Sequence, residues 1–282
     1  MNTVDTGRRR WDKDDKEEQS MHRTLSITGI ILLLIIFALV ACEPAGFIFS
    51  EEGNIECGGD GEAIILDNNP EATDPTYDEL VAFIKKDLTD KKDYIEDGPN
   101  AYVCSDFAEE VHNNAETAGI RAGWVSVTFE GTDEGHALNA FDTIDRGLVY
   151  IDCTNGSDSG SGDNELQSWD TIAYIRTGEK YGIIPIDQAE SLLYNFYIEY
   201  EKAWREHKAL LKAYNEEVKR YNDEVSQKVY TIGSPEEQRI TEWKGELVKK
   251  AGILESQKAE LGDCWYESEF SSYTVKNVRI HW

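Results

Sequence analysis

From Asp187 to Val229 the chain contains neither glycine nor proline. No other feature limits its fold as strongly, because an apolar stripe runs through this stretch in alternating steps of four and three: Leu193, Tyr197, Tyr200, Trp204, His207, Leu211, Tyr214, Val218, Tyr221 and Val225. Such a stripe on an uninterrupted backbone predicts one long helix whose seam needs a partner, as in a coiled coil or helical hairpin. The partner follows in sequence. Ser234, Pro235 and Glu237 supply an N-cap, a proline at the first helical position and a capping glutamate. Ile240, Trp243, Leu247, Leu254 and Leu261 form its apolar face before Gly262 stops it. The aromatic stripe is read as core, and His207 within it as a packed or edge histidine.

Charge narrows the partners. The formal net charge of −27 repels polyanions, so nucleic-acid binding is not expected. Near the start, Met21 to Cys42 reads as a basic flank, an apolar run and a small residue before a cysteine, which is how a secretory signal reads. Leu39, Val40, Ala41 and Cys42 resemble a bacterial lipobox, in which the cysteine becomes the lipidated N-terminus. The first twenty residues are too charged for a signal, so Met21 is a candidate start. The alternative is an uncleaved membrane anchor, since the run is long enough to span. Either way the rest of the chain is expected outside the cytoplasmic membrane, anchored to it.

In that setting Cys57, Cys104, Cys153 and Cys264 could form disulfides. Cysteine and histidine spacings give no zinc pattern, so no metal and no cofactor is expected. Residues 43–72 read as a tether with one short strand. Thr76 and Glu79 form a capping box ahead of a helix over 77–88. A second helix begins at Cys104, with Phe107, Val111, Ala115 and Ala118 on one face and Gly119 at its stop. Three strand-like runs follow, at 124–130, 136–141 and 148–154, then a loop and a further hairpin over 169–187. The tail, 273–282, alternates as a final strand. The fold class expected is α+β with an antiparallel sheet.

Cys104 raises a chemical question. A cysteine at a helix N-terminus meets unpaired amides and the positive end of the dipole, which favour a thiolate. A thiol nucleophile also needs a base, and the base an orienting group. With a hairpin turn at 142–146, His136 and Asp152 fall almost opposite each other and within side-chain reach. His112, on the Cys104 helix, is the rival base, read as a surface residue. Asp106, Glu109 and Glu110 crowd the first turns of that helix with charge that opposes a thiolate. Asp152 and Cys153 point to opposite strand faces, so Cys104 is expected reduced and any bridge drawn from Cys57, Cys153 and Cys264, with Cys57–Cys264 preferred.

The order of a helix-opening cysteine, "AGIRAGWVSV", "GHALNAF" and "LVYIDCT" resembles the transglutaminase-like cysteine acyltransferase and peptidase superfamily. The resemblance covers about a quarter of the chain. It implies a transglutaminase-like (papain-like) core over 73–186, to which the helical hairpin read from the stripe, over 187–262, and the C-terminal strand, over 263–282, are appended. It also implies a catalytic triad of Cys104, His136 and Asp152, acting by acyl transfer to an amine or by hydrolysis of an amide in a peptide or protein. Cys153 stands where the family has proline. The competing reading is a catalytically inert surface lipoprotein that binds a protein partner through its hairpin.

Overall fold

The structure, a computed structural model, describes residues 46–48, 50, 53–154, 169–262 and 269–282. By its internal contacts Gly46–Trp282 forms a compact unit, the second of two along the chain. The apolar run, the lipobox with Cys42, the loop after 154 and Cys264 lie outside the described residues. Among those that are described, no helix is long and apolar enough to cross a membrane.

The second unit is α+β. Two short strands, β1 (Gly46–Phe47) and β2 (Ile65–Leu66), pair antiparallel. Helix α1 (Tyr77–Ile84) starts at Thr76, whose hydroxyl accepts from the Glu79 amide while the Glu79 carboxylate accepts from the Thr76 amide. It ends earlier than its periodicity predicts, because the chain tightens into a 3-10 turn at Thr89–Lys91 and leaves Leu88 exposed. Helix α2 (Cys104–Thr117) then leads into β3 (Gly123–Phe129), β4 (Gly135–Thr143), β5 (Gly147–Asp152), β6 (Thr171–Tyr174) and β7 (Gly182–Pro185). Helices α3 (Tyr194–Gln227) and α4 (Pro235–Leu261) form the hairpin, and β8 (Val275–His281) closes the described chain.

Six strands make one antiparallel sheet in the order β7-β6-β5-β4-β3-β8. The tail strand pairs with β3, so the helical hairpin interrupts a single sheet between β7 and β8. Alternation along β4 explains why nearly all of it is buried. Leu138 and Ala140 join Val125, Val127, Phe129 and Tyr181 in one apolar cluster. Phe141 points the other way, into the cluster under α1 and α2. Asn139 shares that second face, and its side-chain amide donates to the Ala108 carbonyl of α2 at 2.8 Å.

The root of α3 belongs to this core. Tyr194, Tyr197, Tyr200 and Trp204 pack with Ile184 and Val149. Tyr197 lies so close to Gly182 that a β-carbon there would stand 2.1 Å from the ring. Farther out the cover is uneven: Leu211 is 40 % exposed, while Ile240 and Leu247 of α4 are buried. His207 is buried beside Trp204, in the packed position expected of it.

Residues 53–72 lie against α2 through paired polar atoms. Side chains at successive turns of α2 accept from this segment's amides: Asp106 from Gly59, Glu109 from Ile65, Asn113 from Asp67 and Glu116 from Asn69, each at 2.8 to 2.9 Å. The spacing of those acceptors, three and four residues, is one face of the helix. Beyond its short pairing with β1, this segment thus satisfies backbone amides on helix side chains.

Candidate functional site

Val103 ends the extended chain before α2, and Cys104 takes the first helical position. There the Cys104 and Ser105 amides precede the first bonds of the helix, which the Asp106 and Phe107 amides give to the Val103 carbonyl. The acidic residues that crowd this end are engaged with donors. Asp106 accepts from the Val103 amide at 2.8 Å and from the Gly59 amide at 2.9 Å. A β-carbon at Gly58 would fall 2.0 Å from Asp106 Oδ1, so position 58 requires glycine. Glu110 accepts from the Tyr102 hydroxyl at 2.5 Å and pairs with Lys92. The carboxylates at this end therefore hold the loop that frames Cys104.

His136 and Asp152 meet as the sequence pattern requires, but on a diagonal. The ladder pairs Asn139 with Ile151 and closes at Thr143 and Gly147. Gly147 adopts a left-handed φ of 74°, and the Thr143 hydroxyl donates to its carbonyl at 2.7 Å. The turn therefore sits one residue later than expected, and His136 is not directly opposite Asp152. Imidazole length spans the diagonal: His136 Nε2 lies 2.7 Å from Asp152 Oδ2. Pairing between β4 and β5 stops at Asn139, whereas β4 stays paired with β3 back to Gly135. At this open edge the Cys104 side chain adds to the field that favours a charged His136 ring.

The carboxylate is held from several sides. The Tyr181 hydroxyl donates to the same Oδ2 at 2.6 Å, and the Thr154 amide donates to Oδ1 at 3.0 Å. Phe270 lies over the imidazole with ring centroids 4.5 Å apart, and Tyr181 meets it edge-on at 5.5 Å. Burial by itself disfavours a charged His136, but the Asp152 carboxylate and Cys104 outweigh it and raise the imidazole to about 10. Burial likewise pushes Asp152 up, and the imidazolium, Tyr181 and Thr154 together hold it below its usual value. Asp152 accepts from Nε2–H, and Nδ1 is buried with no hydrogen-bond partner, which leaves it available to the thiol.

Cys57, Cys104 and Cys153 are free thiols. Cys153 points away from the site, into the core, where its thiol faces Asp170 at 3.7 Å. Burial pushes that thiol well up, with Asp170 adding to the shift. Cys57 carries no bridge, and Cys264 lies outside the described residues. The placement of His112 corrects the surface reading. It is fully buried, with Nδ1 at 2.9 Å from Asn113 Oδ1, and burial depresses its pKa. Eight residues along α2 from Cys104, it lies about 12 Å away along the axis, too far to take the thiol proton.

Cys104 and His136 open onto a cleft of about 850 Å³. Ser126, Thr128 and Ala137 form its floor, residues 54–57 one wall, and β8 contributes Lys276, Asn277 and Arg279. Among the described residues no group of histidine, cysteine and acidic side chains could hold a metal ion. The arrangement can remove a proton from a thiol, keep it on a buried imidazole and return it to a leaving group. Tyr181 and Phe270 were not readable as site residues. Tyr181 sits in a run that announces only a strand, and Phe270 reaches His136 from a 3-10 turn at Glu269–Ser272. Comparison with known protein families, with curated proteins and with solved structures finds no match to this chain.

Proposed function

We propose that this chain carries a transglutaminase-like core and performs thiol-dependent acyl transfer or hydrolysis on an amide of a peptide or protein. The observation that supports it most is the buried His136–Asp152 contact of 2.7 Å, with Nδ1 left to a cysteine at a helix start. Cys104 attacks the amide carbonyl as a thiolate. Unpaired amides at the start of α2 receive the oxyanion. His136 delivers its Nδ1 proton to the departing amine, and Asp152 keeps the ring oriented and charged. Water or an amine, activated by the neutral imidazole, then releases the acyl group from sulfur. Tyr181 is a positioning residue acting through Asp152.

In this reading the Cys42 thiol bears lipid and the domain works on the outer face of the cytoplasmic membrane. Peptide mapping after labelling with a thiol-directed activity probe tests the catalytic part. Labelling should concentrate on Cys104 and fall at least tenfold in His136→Ala; equal labelling of Cys57 and Cys104, indifferent to His136, contradicts it. A second reading, a binding module, is favoured by the outer hairpin, where Val248 and Ile253 are 65 % and 57 % exposed.

A further inference from the structure

The floor of the cleft holds an arginine without a counter-charge. Arg279 on β8 is the register partner of Ser126 on β3, and both line the cleft shared with Cys104. Other described arginines are accounted for. Arg121, Arg205 and Arg239 pair with carboxylates, Arg146 and Arg176 lie over tyrosine rings, and Arg220 is exposed on α3. Arg279 alone among them is partly buried, and among the described residues it has no carboxylate within ion-pairing distance and no aromatic ring beneath it. Partly withdrawing a guanidinium from water is costly unless an anion replaces the lost hydration. In a chain of net charge −27, carboxylates are abundant, yet none of the described ones pairs with it.

Lys276, on the same strand, is exposed at the cleft and likewise has no ion pair among the described residues. The acids of the cleft stand elsewhere. Asp133 and Glu134 belong to the turn beyond the Thr128–Gly135 pair, where Glu134 accepts from the Tyr273 hydroxyl at 3.1 Å, and Glu56 belongs to the wall of residues 54–57. The cleft is therefore divided, cationic over β8 and anionic at the turn and wall. A guanidinium fork matches a carboxylate at two points, which an ammonium does not.

We infer that the cleft selects amide substrates carrying a carboxylate near the attacked carbonyl, with Arg279 as its two-point anchor and Lys276 as a rim attraction. This rests on Cys104 being the nucleophile. Two alkylating reagents with the same electrophile test it: N-iodoacetylglycine, which is anionic, and N-iodoacetylglycinamide, which is neutral. In both, the S–C bond forms as iodide leaves. The ratio of anionic to neutral rate at Cys104, read by peptide mapping, should fall about tenfold in Arg279→Gln and recover in part in Arg279→Lys. Arg220→Gln removes the same formal charge from an exposed helix and should leave the ratio within about twofold, because salt screens distant charges. An unchanged ratio in Arg279→Gln, or an equal loss in Arg220→Gln, overturns the inference. Failure of the catalytic reading looks different: the neutral reagent's rate would then be the same in wild type and His136→Ala. The ratio is readable in that case too, since Cys104 is partly exposed and alkylates without activation.

Discussion

The wall of the site and the helical hairpin are both built on helices with a periodic stripe, yet they are held in different ways. On α2 the stripe is polar, and each member accepts a specific amide of residues 59–69. On α3 the stripe is apolar and graded. Tyr197, Tyr200 and Trp204 are buried in the core, whereas Leu211, two turns farther out, is 40 % exposed. Beyond it the hairpin is joined by side-chain contacts at its surface: Lys250 pairs with Glu217 at 2.5 Å, the Trp243 indole donates to the same carboxylate at 3.0 Å, and Arg239 pairs with Glu224. Exposed pairs of this kind stabilise weakly. Position is therefore exact around Cys104 and permissive at the hairpin tip.

The hairpin gradient is the easiest part to break. Trp204→Ala removes a core ring at the root of α3 and should cost about 3 to 5 kcal/mol in urea unfolding. Next in size is the buried pair. Asp152→Asn keeps an acceptor but removes the charge opposite His136, at a cost of about 3 kcal/mol at its maximum. Its pH dependence has a determined sign. The raised His136 contributes fully below its ordinary value of 6.5, and that contribution fades as pH climbs toward about 10. The lowered Asp152 contributes above its ordinary 3.8, and that contribution is lost as pH falls through its folded value. The difference between wild type and Asp152→Asn should therefore peak between about pH 4 and 6.5 and shrink on both sides; a flat difference from pH 4 to 10 contradicts a charged pair.

Asp106→Ala strands the Val103 and Gly59 amides and should cost about 2 kcal/mol, with Asp106→Asn recovering part of it. At the small end, Leu211→Ala should cost under about 1 kcal/mol, because much of its side chain is already in water. If Leu211→Ala proved as costly as Trp204→Ala, the seam would be uniformly packed and the contrast between the two regions would fail.

What the sequence shows of this molecule follows the range of the interactions. The Cys104 helix, the meander of β3 to β5 and the helical pair are local patterns, and all of them form. The meeting of His136 with Asp152 was readable because one short turn joins their strands. The turn lies one residue later than the expected 142–146, because Gly147 and the Thr143 hydroxyl set it. The acids on α2 read as charge near a thiol, since nothing local reveals that amides of residues 59–69 occupy them. Tyr181 and Arg279 come from strands far along the chain, and their roles exist only once β8 has paired with β3 and β7 has joined the sheet.

The central claim is that Cys104 and His136 form one reactive unit. Its most direct test is the rate of iodoacetamide alkylation at Cys104 against pH, in wild type and in His136→Ala. A base beside the thiol activates it as a nucleophile, and His136→Ala removes that base. Wild type should therefore alkylate at least tenfold faster than His136→Ala near pH 6, and the two curves should converge in alkali. Superimposable curves across the whole range would make Cys104 an ordinary cysteine and contradict the account.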